Sequence, residues 1–211
     1  EKSLGAVAKG GNSSFERPSI LKKLGPLFIE ATSLAVTSTL TSSEGSSLTI
    51  PYFKVLSENQ DYTFTPTWFD NDILSFQNEY RKSNKNSQFI ADFGLIKGYQ
   101  SNTTKQRNSL SHIFVNYDLD LKLDKFDTSN LFMSMEQVSN DTYLKVFDAF
   151  ITKSKVRPDN LNVLNNQIKL TLDNKDYNFV SGFHAYEDLN EGKNSDRYQY
   201  ILPYYNFDTV L

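Results

Sequence analysis

The chain has 211 residues, no cysteine and a formal net charge of -3. The missing thiols exclude disulfide frameworks, thiolate zinc sites and cysteine nucleophiles. The mildly acidic balance offers no broad basic field for nucleic acid. Sixteen Phe and twelve Tyr against one Trp and two Met favour strands, because rings on Cβ suit a pleated surface. No run approaches the ~18 consecutive apolar residues of a spanning helix, a test that is blind to a barrel, whose signal is alternation. Glu1 opens the chain and Thr209-Val210-Leu211 closes it with no signal peptide, so it reads as an internal fragment.

Residues 1–47 read as a linker or irregular arm. An apolar patch at 21–29 is broken by Gly25 and Pro26, and Ser and Thr crowd 37–47. From residue 48 the chain reads as strands between polar turns, without sustained helical spacing. About ten strands are predicted, at 48–56, 61–69, 74–81, 87–97, 112–124, 129–138, 141–150, 164–172, 176–187 and 197–207. In the third, Leu74, Phe76 and Tyr80 alternate with Ser75, Gln77, Glu79 and Arg81. The fifth is the clearest. Ile113, Val115, Tyr117, Leu119, Leu121 and Leu123 share one parity, and His112, Asn116, Asp118, Asp120, Lys122 and Asp124 the other, with Phe114 intruding. At about 3.3 Å per residue it reaches about 43 Å, or about 30 Å at a tilt of about 45°, the hydrocarbon thickness of a bilayer. In the eighth, Leu164, Ile168, Leu170 and Leu172 alternate with Asn165, Gln167, Lys169 and Thr171. Polar turns such as Lys82-Ser83-Asn84-Lys85-Asn86, Asp173-Asn174-Lys175-Asp176 and Asn190-Glu191-Gly192-Lys193-Asn194 join consecutive strands.

The expected fold is all-β, an antiparallel up-and-down meander. A soluble sandwich shares the two-residue period. Strand length, and rings near strand ends, favour part of a large outer-membrane barrel, its apolar face toward lipid and its polar face lining a lumen. As a fragment it is expected to form an open curved sheet with unpaired edges.

Little points to chemistry. Asp118, Asp120 and Asp124 share a strand face and offer oxygens to a hard cation, but a solvated face explains them too, and Lys122 sits among them. His112 and His184 are the two histidines, without zinc spacing. There is no Gly-x-Ser-x-Gly elbow and no Gly-rich phosphate loop. The reading is of a non-enzyme with no catalytic residue, metal or cofactor.

Three segments run in order: Leu48-Thr49-Ile50-Pro51-Tyr52-Phe53, Asp61-Tyr62-Thr63-Phe64-Thr65-Pro66 and Asn78-Glu79-Tyr80-Arg81. Further on stand Asn140-Asp141-Thr142-Tyr143-Leu144 and Ile201-Leu202-Pro203. This succession resembles the start of the barrel in the LptD family, the organic solvent tolerance proteins of Gram-negative outer membranes. The family's Arg-rich, Gly-Phe-Leu-containing approach is not found in residues 1–47. The resemblance implies that residues 48–211 are the N-terminal portion of a transmembrane barrel that inserts lipopolysaccharide. It implies as partners an LptE-like lipoprotein in the lumen, outer-membrane lipid, and the periplasmic Lpt bridge, reached through a jelly-roll domain missing here.

Proline lacks the N–H that a ladder requires, so neither Pro51 nor Pro66 is a natural choice for a central strand. The resemblance places both in the first two strands, beside the seam where a barrel's first and last strands meet. They are the expected lateral gate, lowering the cost of parting that seam. The plainer reading is strand-start punctuation. The alternative functions are a porin or receptor barrel, and a soluble all-β binding module or glycan-active enzyme.

Overall fold

In the computed structural model the described residues are 37–39, 47–69, 72–100, 107–148, 154–193 and 195–209. They form β1 (Thr37–Thr39), β2 (Ser47–Thr49), β3 (Tyr52–Ser57), β4 (Gln60–Phe69), β5 (Leu74–Ser83), β6 (Ser87–Gln100), β7 (Arg107–Asp120) and β8 (Thr128–Val138). A short helix α1 (Tyr143–Val146) precedes β9 (Val163–Asp173), β10 (Tyr177–Asp188) and β11 (Tyr198–Thr209). Every strand pairs antiparallel with its neighbour in sequence, except that β2 and β3 lie in line along β4. Among the described residues no pairing joins β11 to the first strands, so the all-β meander is open. Turn chemistry sets its hairpins. In the β9–β10 turn the Asn174 side chain accepts the backbone N–H of both Asp176 and Tyr177 at 2.9 Å.

Residues directly opposite one another share a face. One row runs Lys82, Phe89, Tyr117, Met133, Ile168, Phe183 across β5 to β10, and the next runs Tyr62, Tyr80, Ala91, Val115, Met135. On the opposite face a row runs Asp61, Arg81, Ile90, Asn116, Ser134, Gln167, His184. The alternation therefore sorts side chains into an apolar and a polar face. The apolar face is the bare one: Phe93 is 47% exposed, Ile113 42%, Met135 42% and Ile168 45%. Among the described residues no second layer covers it.

The buried cluster lies at one end, on the polar face. Ile96 of β6 and Leu110 and Phe114 of β7 pack there with Tyr143, Leu144, Phe147 and Val156 from the connection between β8 and β9. This explains Phe114, the apolar residue on the wet parity: it is the floor on which that connection sits, and it is fully buried.

Four features depart from the sequence reading. The strand expected at 48–56 is two, β2 and β3, interrupted at Ile50-Pro51. The strand expected at 112–124 starts earlier and stops at Asp120. There the Asp120 side chain accepts the Lys122 backbone N–H at 3.0 Å, and Lys122 takes a φ of 51°, which a strand cannot continue. Of the strand expected at 141–150, the described residues 141–148 form none, because Asn140 accepts both the backbone N–H and the hydroxyl of Thr142 and so starts a helical turn. Tyr143, Leu144 and Phe147 then reach the core together at helical spacing. Finally, β1 falls within the stretch expected as an arm and pairs with β2; the rest of residues 1–46 lies outside the described residues.

Candidate functional site

Pro51 and Pro66 come together on one strand border. Thr49 opposes Thr67 and Tyr52 opposes Phe64, so β2 and β3 keep one register on β4 across the Ile50-Pro51 break. Ile50 donates its backbone N–H to the Pro66 carbonyl at 3.2 Å. A hydrogen-bonded antiparallel pair exchanges two such bonds. Pro66 has no N–H to return, so this pair holds by one. The same alternation turns the Pro51 backbone away from β4, toward the outer edge of β3, where no described strand pairs. Pro66 thus thins the ladder from inside, and Pro51 blunts the edge from outside.

Side chains tie this border on both sides of the gap. The Thr49 and Thr67 hydroxyls meet at 2.9 Å. On the β4–β5 side, the rings of Phe64 and Phe76 stack with centroids 6.1 Å apart, and Arg81 grips Asp61 with two bonds of 2.9 and 3.0 Å. The border with β5 is therefore firm, and the thinned one lies between β4 and the strand before it.

A second arrangement, which sequence reasoning missed, bolts the β8–β9 connection to the polar face. Gln77 donates to Asp92 at 2.9 Å; the other Asp92 oxygen lies 3.2 Å from His112 Nε2; His112 Nδ1 lies 2.6 Å from the Tyr143 hydroxyl. With Nε2 protonated, His112 donates to Asp92 and accepts from Tyr143. Burial, reinforced by the Asp92 charge, pushes the Tyr143 hydroxyl well above its ordinary range and keeps it a donor. Asp92, His112 and Tyr143 are all buried, with every imidazole nitrogen occupied. The chain of groups is fitted to hold the helix in place. Its sequence signal was faint: a histidine on the polar parity of β7, opposite Gly94.

Arg197 is the other fastening. It donates to Glu187 at 2.7 Å, to Asp141 at 2.6 Å and to the Glu191 carbonyl at 3.3 Å. It therefore joins β10, the turn before α1 and the β10–β11 loop. Its hydrogen bond to Asp141 holds that carboxyl below the usual range, with burial opposing.

The remaining sequence candidates lie apart. His184 contacts Asn165, Tyr186 and Tyr204, all on the polar side of β9, β10 and β11. Asp118 accepts from Asn130 at 2.8 Å, and Asp120 is engaged in its own turn. Among the described residues no group of three or more His, Asp or Glu side chains gathers as for a metal ion. Compared with known proteins, the chain matches no family model and no curated protein.

Proposed function

We propose that this chain is part of the wall of an outer-membrane β-barrel of the LptD kind, which passes lipopolysaccharide to the membrane without covalent chemistry. The observation that carries the reading is the inversion of the faces. Long strands present Phe93, Ile113, Met135 and Ile168 outward, while Asp92, His112 and Asn116 lie on the face that the β8–β9 connection partly covers. A water-soluble sandwich hides its apolar face against a second sheet. A lipid-facing wall needs none.

The thinned border supplies the gate. An unpaired backbone group costs several kcal/mol in hydrocarbon, and a ladder bond contributes about 0.5–1.5 kcal/mol in water. Parting β4 from the strand before it breaks one bond fewer at Ile50 and Pro66, and Pro51 leaves the outer edge short of a donor. In this reading the acyl chains leave sideways there while the sugar headgroup stays on the polar face, and an LptE-like lipoprotein occupies the enclosed space. The test replaces Pro51→Ala and Pro66→Ala together in the intact protein and measures lipopolysaccharide reaching the cell surface. Delivery should fall while barrel assembly is kept. Unchanged delivery at normal assembly rejects the gate.

A further inference from the structure

The β8–β9 connection leaves a cleft between itself and the polar face, about 460 Å³ in volume, within the ~300–1,000 Å³ range of small-molecule sites. We infer that this cleft binds a sugar unit, recognised as an uncharged, hydroxyl-rich ring. The proposal does not depend on the transport reading.

The walls say what fits. Asn116 and Gln167 flank Ser134 in one cross-strand row and line the cleft, and each amide offers both donor and acceptor atoms. Among the described residues neither side-chain amide makes a hydrogen bond, so both are left to a ligand. The lining has no cationic excess: Lys155 and Arg157 stand against Glu136 and Asp159, and Arg157 is also paired with Asp148. A phosphate site needs such an excess, and among the described residues no group of three or more His, Asp or Glu side chains gathers as for a metal ion. Phe132 and Tyr186 add ring surface, against which the C–H face of a pyranose packs.

The floor is also held rigidly. Where β8 and β9 stop pairing, the Glu136 side chain accepts the Asn165 backbone N–H at 2.7 Å, and the Asn166 side chain accepts the Glu136 N–H at 2.8 Å. These reciprocal bonds satisfy the Glu136 and Asn165 N–H groups where the ladder between β8 and β9 ends. Preformed polar groups of mixed sense, in neutral surroundings, are what hydroxyl recognition requires.

The test uses the full chain in an amine-oxide detergent, whose head group is not a sugar, and follows ligands by saturation-transfer NMR and calorimetry. The probes are maltotriose, the core oligosaccharide released from lipopolysaccharide, and inorganic phosphate. Saturable binding of either oligosaccharide, weakened about five- to tenfold by Asn116→Leu and by Gln167→Leu, supports the site. Tighter binding of the core oligosaccharide assigns it to lipid-borne glycan, and tighter binding of maltotriose to free glycan. Gln167→Glu, which keeps the side-chain size, guards against misfolding and should weaken binding similarly. Preference for phosphate, no saturable sugar binding by the folded chain, or binding indifferent to all three substitutions overturns the proposal. Sugar binding that persists while lipopolysaccharide delivery is unchanged by the Pro51→Ala and Pro66→Ala replacements leaves this site standing and rejects only the gate reading.

Discussion

At the residue scale, Arg197 shows how one side chain holds an insertion to a sheet. It is buried and bonded to Asp141, Glu187 and the Glu191 backbone. Because Arg197 depresses the Asp141 pKa, the stabilisation is present above the unfolded value of about 3.9 and is lost as pH falls through the lower, folded value. Exchange of the amides across residues 139–148, taken relative to its intrinsic rate at each pH, should therefore stay slow from neutral pH to about pH 4 and quicken in stronger acid. Arg197→Met should quicken it at neutral pH and remove the acid step assigned to Asp141. Gly94 is the other fixed point. A Cβ there would meet the His112 ring, so Gly94→Ala should cost about 1–3 kcal/mol in unfolding experiments by pushing His112 off Asp92 and Tyr143. Neither residue stood out in the sequence. Their importance comes from partners far along the chain, Asp141 for Arg197 and His112 for Gly94, and local patterning carries no record of such pairs.

At the element scale, β5, β7 and β9 were legible because a two-residue period dominates each, with Leu110 and Phe114 of β7 on the polar parity as the exceptions. In the 141–150 segment Tyr143, Val146 and Phe147 favour a strand by propensity. The Asn140 side chain, by bonding Thr142, tips the local balance toward a turn. The split of 48–56 falls at Pro51, directly before Tyr52 where β3 begins, the place that strand-start punctuation gives a proline. Pro66 has a consequence that can be isolated from transport. Pro66→Val supplies the missing N–H, so the Ile50–Pro66 pair should become reciprocal and exchange of the Ile50 amide should slow severalfold. If Ile50 exchange is unchanged in a folded variant, the thinned border is not the weak point of the sheet. Lipopolysaccharide delivery should decline in the same variant, since a firmer ladder opposes parting.

At the scale of the whole molecule, the orientation of the faces decides the reading, and the sequence left it open because alternation is symmetric between inside and outside. The structure adds which face carries the β8–β9 connection, and among the described residues the uncovered face is the apolar one. Trp68, the chain's one tryptophan, lies on that face at the end of β4, opposite Leu48 and Leu74, and is 41% exposed. In vesicles carrying brominated acyl chains its fluorescence should be quenched, most by bromines near the headgroups, as suits a ring at a strand end. With Trp68→Phe as background, Phe93→Trp places the probe in the middle of β6 on the same face, and quenching should shift to bromines deep in the chains. Asn116→Trp, on the polar face, should escape quenching. Equal quenching at positions 93 and 116, or water-like emission from all three probes in a detergent-free monomer, would mean that the apolar face meets something other than lipid, and the membrane-wall reading would fall with it.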